Sequence, residues 1–328
     1  MYCNTASFGL PPQPAWDALQ AALDDWRGGR TSWERWGEAT ERARAGFGRL
    51  VGAAPGQVAV ASTVSELVGT VATALPAGTR VVVPDVEFTS VLFPFLVQDR
   101  LDVVTVPPRD LPDAIADGAG AAAFSAVQMS SGEVADLDAI AAAADHAGAI
   151  TLCDVTQAAG WLPLDATRFD AVVCAAYKWL MAPRGSAFLA VSDRILERAV
   201  RHSAGWFAGE DVHASYFGPP LRLSRSARRL DVSPAWFTWV GTAPALDVIE
   251  RIGVGAIHAH DVALANRFRA GLGLPPGDSA IVSAHLPGAA ERLERAGIVA
   301  AVRGGRLRTS WHVYNTPADV DRVLEVVA

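Results

Sequence analysis

Seven short apolar runs punctuate the first two thirds of the chain, and their brevity and spacing restrict the fold more than any other feature. They are Gln57–Ala61, Arg80–Pro84, Asp102–Val106, Ala121–Phe124, Ala149–Cys153, Ala171–Cys174 and Ser186–Val191. Each is too short for a stable helix and apolar through its middle, the pattern of a strand buried on both faces. Helical stretches at Ser65–Leu75, Ser90–Gln98 and Asp136–Ala147 alternate with them. Parallel neighbours can be joined only by a crossover, so this alternation predicts an α/β fold, with a mostly parallel seven-stranded sheet between layers of helices.

The pattern changes past Asp193. Residues 202–240 are rich in Trp, Ser, Arg and Pro with little periodicity, and a long helix over Thr242–Ile252 follows. The remainder reads as a small α+β unit. It has a helix over Gly255–Leu272, a short strand, a helix over Ala289–Ala296, a hairpin-like Val299–Ser310 and a last helix from Pro317. At ~150 residues per domain the length suits two units, set here at 15–253 and 254–328.

Composition excludes several functions. Among the 28 basic residues only Lys178 is a lysine, and the formal net charge is −7. Neither nucleic acid nor an anionic membrane is the expected partner. A P-loop needs its lysine in a Gly-rich run, and Lys178 does not lie in one. No apolar run approaches the ~18 residues of a spanning helix. The start Met1-Tyr2-Cys3-Asn4-Thr5 carries no basic and apolar leader pattern, and Cys3, Cys153 and Cys174 have neither disulfide-framework nor zinc spacing. A cytoplasmic protein is expected. His258-Ala259-His260-Asp261 is read as a solvated helix face with no metal, since positions i and i+2 do not share a face. Trp236-Phe237-Thr238-Trp239 suits a substrate entrance, a dimer contact or core packing.

In parallel sheets ligands bind beyond the carboxyl ends of the strands, and three such ends carry unusual residues. Asp154 closes the most apolar run, with Gln157 just after it; Lys178 follows Ala171–Tyr177; Ser62-Thr63-Val64-Ser65-Glu66 follows the first run and opens a helix. A helix start offers N–H groups and hydroxyls to an anion. A lysine in an apolar setting has a lowered pKa and can form a Schiff base. An aspartate can pair with a protonated pyridine nitrogen. Phosphate, imine and pyridinium together describe pyridoxal 5'-phosphate (PLP).

Asp154-Val155-Thr156-Gln157-Ala158 and Tyr177-Lys178-Trp179-Leu180 with Pro183-Arg184-Gly185 resemble the signature of class V aminotransferases. That family of fold-type I PLP enzymes includes cysteine desulfurases, isopenicillin N epimerase-like enzymes, kynureninases and ergothioneine-pathway C–S lyases. Further segments fit in order: Asn4–Gly9, Asp85–Ser90, Val127–Gly132, Arg228–Pro234, and Leu307–Ser310 with Tyr314–Thr316. The resemblance implies that Lys178 holds PLP and moves the proton at the substrate Cα, and that Asp154 keeps the ring nitrogen protonated. It implies Gln157 at the ring oxygen, Phe88 stacked on the ring, and Thr63 with the Val64 N–H at the phosphate. Ser233 would reach the cofactor of a neighbouring subunit in a homodimer. Arg308 would bind the substrate carboxylate, with Asn4 beside it and residues 1–14 packed near the active site.

Departures from the family pattern carry information. Phe88 stands where desulfurases often stack a His, and no cysteine follows Cys174 to carry a persulfide. Met129 occupies a commonly Asn position. Ala175 and Ala176 replace a hydroxyl that often precedes the lysine, which leaves phosphate holding to other groups such as Tyr177. The reaction expected is transamination or β-eliminating C–S lysis of an amino acid, with epimerisation or kynureninase-like hydrolysis as alternatives. A Rossmann-type dehydrogenase is disfavoured, because Ala61-Ser62-Thr63-Val64-Ser65 holds no glycine.

Overall fold

Two helices unforeseen in the sequence, α1 (Gln13–Arg27) and α2 (Trp33–Val51), precede the first strand in the computed structural model. The structure describes residues 1–200 and 203–327. Arg201, His202 at the head of the irregular stretch, and Ala328 at the end of the expected small unit lie outside the described residues. All seven apolar runs are strands. In chain order the elements are β1 (Val58–Ala61), α3 (Val64–Ala72), β2 (Arg80–Pro84), α4 (Thr89–Leu96), β3 (Asp102–Val106), α5 (Leu111–Ala116), β4 (Ala121–Ser125), α6 (Leu137–Ala147), β5 (Ile150–Asp154), β6 (Ala171–Ala175), β7 (Ala187–Val191) and α7 (Asp193–Leu196).

These strands form one sheet in the order β1-β7-β6-β5-β4-β2-β3, in which only β7 runs antiparallel to its neighbours. Alternate residues point to opposite faces, and both faces are apolar. Val58, Val60, Val82, Phe124, Cys153, Val172 and Phe188 meet Phe47 of α2, Leu111 and Ile115 of α5 and Ile140 of α6 on one side. Ala59, Val81, Val83, Leu152, Val173 and Leu189 meet Leu67, Val68 and Val71 of α3 and Val91 and Phe95 of α4 on the other. Burying both faces favours side chains without polar groups, which is why the central runs are mostly apolar rather than alternating, whereas the edge strand β3 carries exposed Asp102 and Thr105.

The long helix α8 (Trp236–Ile252) begins six residues before the expected Thr242, so Trp236–Trp239 is its first turn rather than an irregular segment. Trp239 is fully buried and meets Phe188 edge to face at 5.2 Å. Gly253 (φ 87°) separates α8 from α9 (Val254–Gly271). Then come β8 (Ile281–Ala284), α10 (Ala289–Arg295), β9 (Ala301–Arg303), β10 (Arg306–Ser310) and α11 (Pro317–Val327). β8-β10-β9 is a second, antiparallel sheet with its own apolar cluster around Phe268, Leu293, Trp311 and Val323. Residues 2 and 4 make isolated bridges to Val299 and Ser310, so the N-terminal segment lies along this unit.

One expectation is overturned in part. Ala259 and His260 are exposed, as a solvated face requires, but Asp261 is fully buried and accepts from, or shares a proton with, buried His312 at 2.7 Å. Its partner lies 51 residues away, beyond the reach of local helical periodicity.

Candidate active site

Local rules place Asp154 and Lys178. Asp154 is the last residue of β5 and Lys178 lies three residues past the end of β6; the two strands are parallel neighbours, so their carboxyl ends open on the same side of the sheet. Asp154 and Lys178 line one cleft with Thr63, Val64, Phe88, Gln157 and Tyr177. Seven residues expected at a cofactor are thereby brought together. Met129 and Arg184 line the same cleft.

Lys178 is 7% exposed. Burial lowers its pKa to about 8, opposed by the Asp154 carboxylate and assisted by the positive charges of Arg308 and Arg184. Its Nζ lies 5.7 Å from the ring centroids of both Phe88 and Tyr177. Asp154 is raised to about 6 by burial, while hydrogen bonds from Thr156 oppose the shift; the Thr156 N–H donates to Asp154 Oδ1 at 2.7 Å. The site therefore holds an amine whose neutral form is accessible near neutrality and a carboxylate that remains ionised there.

The chain after Lys178 is held in an uncommon shape. Met181 has φ 53°, the left-handed region that costs a residue with a β-carbon. The N-terminal segment crosses directly over the lysine: Gly9 N–H donates to Tyr177 C=O at 2.9 Å. A β-carbon at Gly9 would stand 2.0 Å from the Lys178 carbonyl oxygen, so only glycine fits there.

Gln157 is fixed from several sides. Trp179 Nε1 donates to its Oε1 at 2.8 Å, and its own Nε2 donates to Ala6 C=O at 2.9 Å. An indole N–H can only donate, so it settles which end of the amide faces it. Thr63 caps α3 by accepting from the Glu66 N–H at 3.4 Å, which leaves first-turn N–H groups directed at the cleft. Phe88 is 41% exposed just ahead of α4 and lines the cleft.

Arg308, on β10, is fully buried. Its Nη1 donates to Met129 C=O at 2.7 Å; Nη2 donates to Ser7 Oγ at 2.7 Å and to Asn4 Oδ1 at 3.3 Å. Nε has no partner, and among the described residues no carboxylate pairs with the guanidinium. Burial and nearby Arg303 lower its pKa to about 10. Ser233 is not brought to this cleft; it is exposed beside Asp231, which pairs with Arg44 at 2.6 Å.

Sequence reading missed the carboxylate behind the cleft. Glu87 is buried and accepts from Ser125 N–H (2.8 Å), Ser125 Oγ (2.5 Å) and Gln128 Nε2 (3.2 Å), so one carboxylate joins the loops after β2 and β4. Its partners lie 38 and 41 residues away, so no local pattern marked it. Among the described residues no group of three His, Cys, Asp or Glu is placed to hold a metal ion, and no helix is long and apolar enough to cross a membrane.

The family model described as aminotransferase class-V matches residues 10–285. The chain is 28% identical over 340 residues to the uncharacterized aminotransferase YcbU of Bacillus subtilis (strain 168), covering 96% of this chain and 90% of that protein. It is 28% identical to a kynureninase of Deinococcus radiodurans, covering 82% of this chain and 70% of the other. The fold is similar to the apo structure of a cysteine desulfurase from Thermococcus onnurineus NA1, with a TM-score of 0.86 at 21% identity over 99% of this chain and 93% of that one.

Proposed function

The chain belongs to the aminotransferase class-V family, and from that premise we propose that it is a PLP enzyme acting at Cα of an amino acid through Lys178. The observation that carries this reading is that the chain's single lysine side chain and buried Asp154 line one cleft at the ends of adjacent parallel strands. When bound through an imine, PLP supplies an electron sink that makes the substrate Cα–H acidic.

The residues present fit that group. Lys178 offers an amine with depressed proton affinity, suited to covalent attachment and then to taking and returning a proton at Cα. Asp154, ionised near neutrality and away from water, keeps a ring N–H protonated. Gln157 has an amide N–H left for the ring oxygen after its bond to Ala6. Phe88 presents an exposed ring for stacking. The Thr63 hydroxyl, the Val64 N–H and Tyr177 hold the phosphate. Arg308, a buried cation lacking an anion, binds the substrate carboxylate as a fork, with Asn4 beside it. Ser233 acts from the neighbouring subunit of a homodimer, which suits its exposure and its absence from its own cleft. Residues 15–253 carry the cofactor, and residues 254–328 with 1–14 cover it.

Transamination and β-elimination at a C–S bond are the reactions proposed, in the cytoplasm. Epimerisation and kynureninase-like hydrolysis use the same first proton transfer. Persulfide chemistry on the protein is disfavoured, because all three thiols are buried and burial raises the pKa of each. The purified protein should be yellow or become so with PLP. Borohydride should then fix the cofactor on the Lys178 peptide; a colourless protein, or label on any other residue, refutes the reading. Incubation with amino acids, scored separately for keto acid, for sulfide or pyruvate, and for α-deuterium exchange, identifies the reaction.

A further inference from the structure

We infer that Asp261 and His312 are positioning residues, which act through Trp179 to set the orientation of Gln157 and of the Lys178 peptide. The inference rests on the reading of Lys178 and Gln157 as cofactor contacts. It assigns a use to the Asp261 segment that the site itself leaves unexplained.

The connection is continuous and dry. Asp261 Oδ2 lies 2.7 Å from His312 Nδ1, and His312 Nε2 lies 3.0 Å from the carbonyl oxygen of Trp179, the residue after Lys178. Trp179 Nε1 in turn holds Gln157 Oε1 at 2.8 Å. Asp261, His312 and Trp179 are at most 1% exposed and Gln157 is 4%. The His312 ring also stands edge-on to the Trp179 indole, at 5.2 Å and 80°. A second indole repeats the arrangement: Trp161 Nε1 donates to Gln157 C=O at 2.7 Å, and His258 stacks on Trp161 at 5.8 Å and 3°. Two His–Trp pairs thus grip one glutamine, by its backbone and by its side chain.

Hydrogen-bond chemistry makes the arrangement directional. A carbonyl only accepts, so His312 Nε2 carries the hydrogen facing Trp179. Nδ1 and Asp261 Oδ2 then share one proton, so both ring nitrogens are held and the ring cannot turn. Without that carboxylate Nδ1 has no partner and the ring is held through Nε2 alone. Without the Trp179 N–H the Gln157 side chain is held only through its bond to Ala6 C=O, and its orientation at the cleft loosens.

The test uses the PLP-loaded enzyme and four variants: Trp179→Phe, His312→Leu, the double variant and Asp261→Asn. The readouts are the PLP dissociation constant, the pH midpoint of the visible band, and kcat against KM. Trp179→Phe and His312→Leu are each expected to weaken PLP binding by about tenfold, the scale on which residues behind a bound group act. Each should also move the pH midpoint in the same direction by about half a unit or more. In the double variant these effects should not add, because both run through one side chain. Asp261→Asn should behave as wild type in midpoint, since Asn can donate to Nδ1 and preserve the tautomer; a shift as large as that of His312→Leu would contradict the shared-proton argument. Additive effects, or wild-type affinity and midpoint in both single variants, overturn the proposal. If His312→Leu fails to fold by circular dichroism, His312→Phe, which keeps a ring and removes both nitrogens, takes its place in the same comparison with the same deciding outcomes. A wild-type chain that takes up no PLP refutes the reading of the site instead.

Discussion

Replacing Asp154 by Asn should lower the pKa of Lys178, and replacing Arg308 by Leu should raise it. The sign follows from which charges face the amine. Asp154 stabilises the ammonium form, while Arg308 opposes it, and burial opposes it most. At a pKa of about 8 rather than 10.5, roughly one Lys178 in ten is neutral at pH 7, against about one in three thousand for an ordinary lysine. That is a few-hundred-fold gain in reactive amine, equivalent to about 3 kcal/mol. Asp154, at about 6, is ionised across the window in which Lys178 titrates, so removing its charge should shift the midpoint down by about one unit. The assay is amine acylation of the PLP-free protein as a function of pH, followed by mass spectrometry of the Lys178 peptide. With a single lysine in the chain, the only other amine is the N-terminus, which serves as an internal reference. A wild-type midpoint near 10.5, or an upward shift in Asp154→Asn, would refute the electrostatic reasoning.

Further expectations concern stability and packing. Folded Lys178 binds its proton more weakly than unfolded lysine does, so folding bears a cost while both are protonated, below about pH 8, and that cost fades towards pH 10.5. Lys178→Met should therefore stabilise the PLP-free protein at pH 7 by about 1–3 kcal/mol in urea unfolding, and the gain over wild type should shrink as pH rises through that window. Asp231→Leu leaves the buried Arg44 guanidinium without its 2.6 Å partner and should cost about 3–5 kcal/mol by the same measurement. Gly9→Ala should weaken PLP binding, because its β-carbon has no room beside the Lys178 carbonyl; unchanged affinity would show that the segment yields. None of Cys3, Cys153 and Cys174 should react with a thiol reagent in the native state at pH 8, and all should react in denaturant, since burial keeps each thiol protonated.

The sheet was legible because its evidence is local. A strand buried on both faces is apolar along most of its length, and residues 58–61, 81–83, 121–124, 171–174 and 187–191 are wholly so, with Thr151 the one polar side chain within 150–153. Asp154 and Lys178 stood out for the same reason, as polar groups at the ends of such runs. Helices α1 and α2 were missed although both are amphipathic: their buried faces are built mostly from small residues, with Phe47 and Val51 at one end, so few large apolar side chains mark them. The start of α8 was missed because its first turn is aromatic rather than Ala-rich, and Pro244 interrupts the pattern.

What the sequence determined by itself was the α/β sheet, the cleft at its carboxyl edge, and the amine and carboxylate that meet there. Each follows from short-range pattern and the rule that parallel strands end on one side. Tertiary structure alone decided what surrounds that pair. Glu87 joining two loops, Arg308 buried without an acid, and Asp261 reaching Trp179 through His312 all bring together residues tens to hundreds of positions apart. A chain's local pattern records which residues are buried, whereas the partner that makes a buried charge or amide tolerable is set by how distant elements pack.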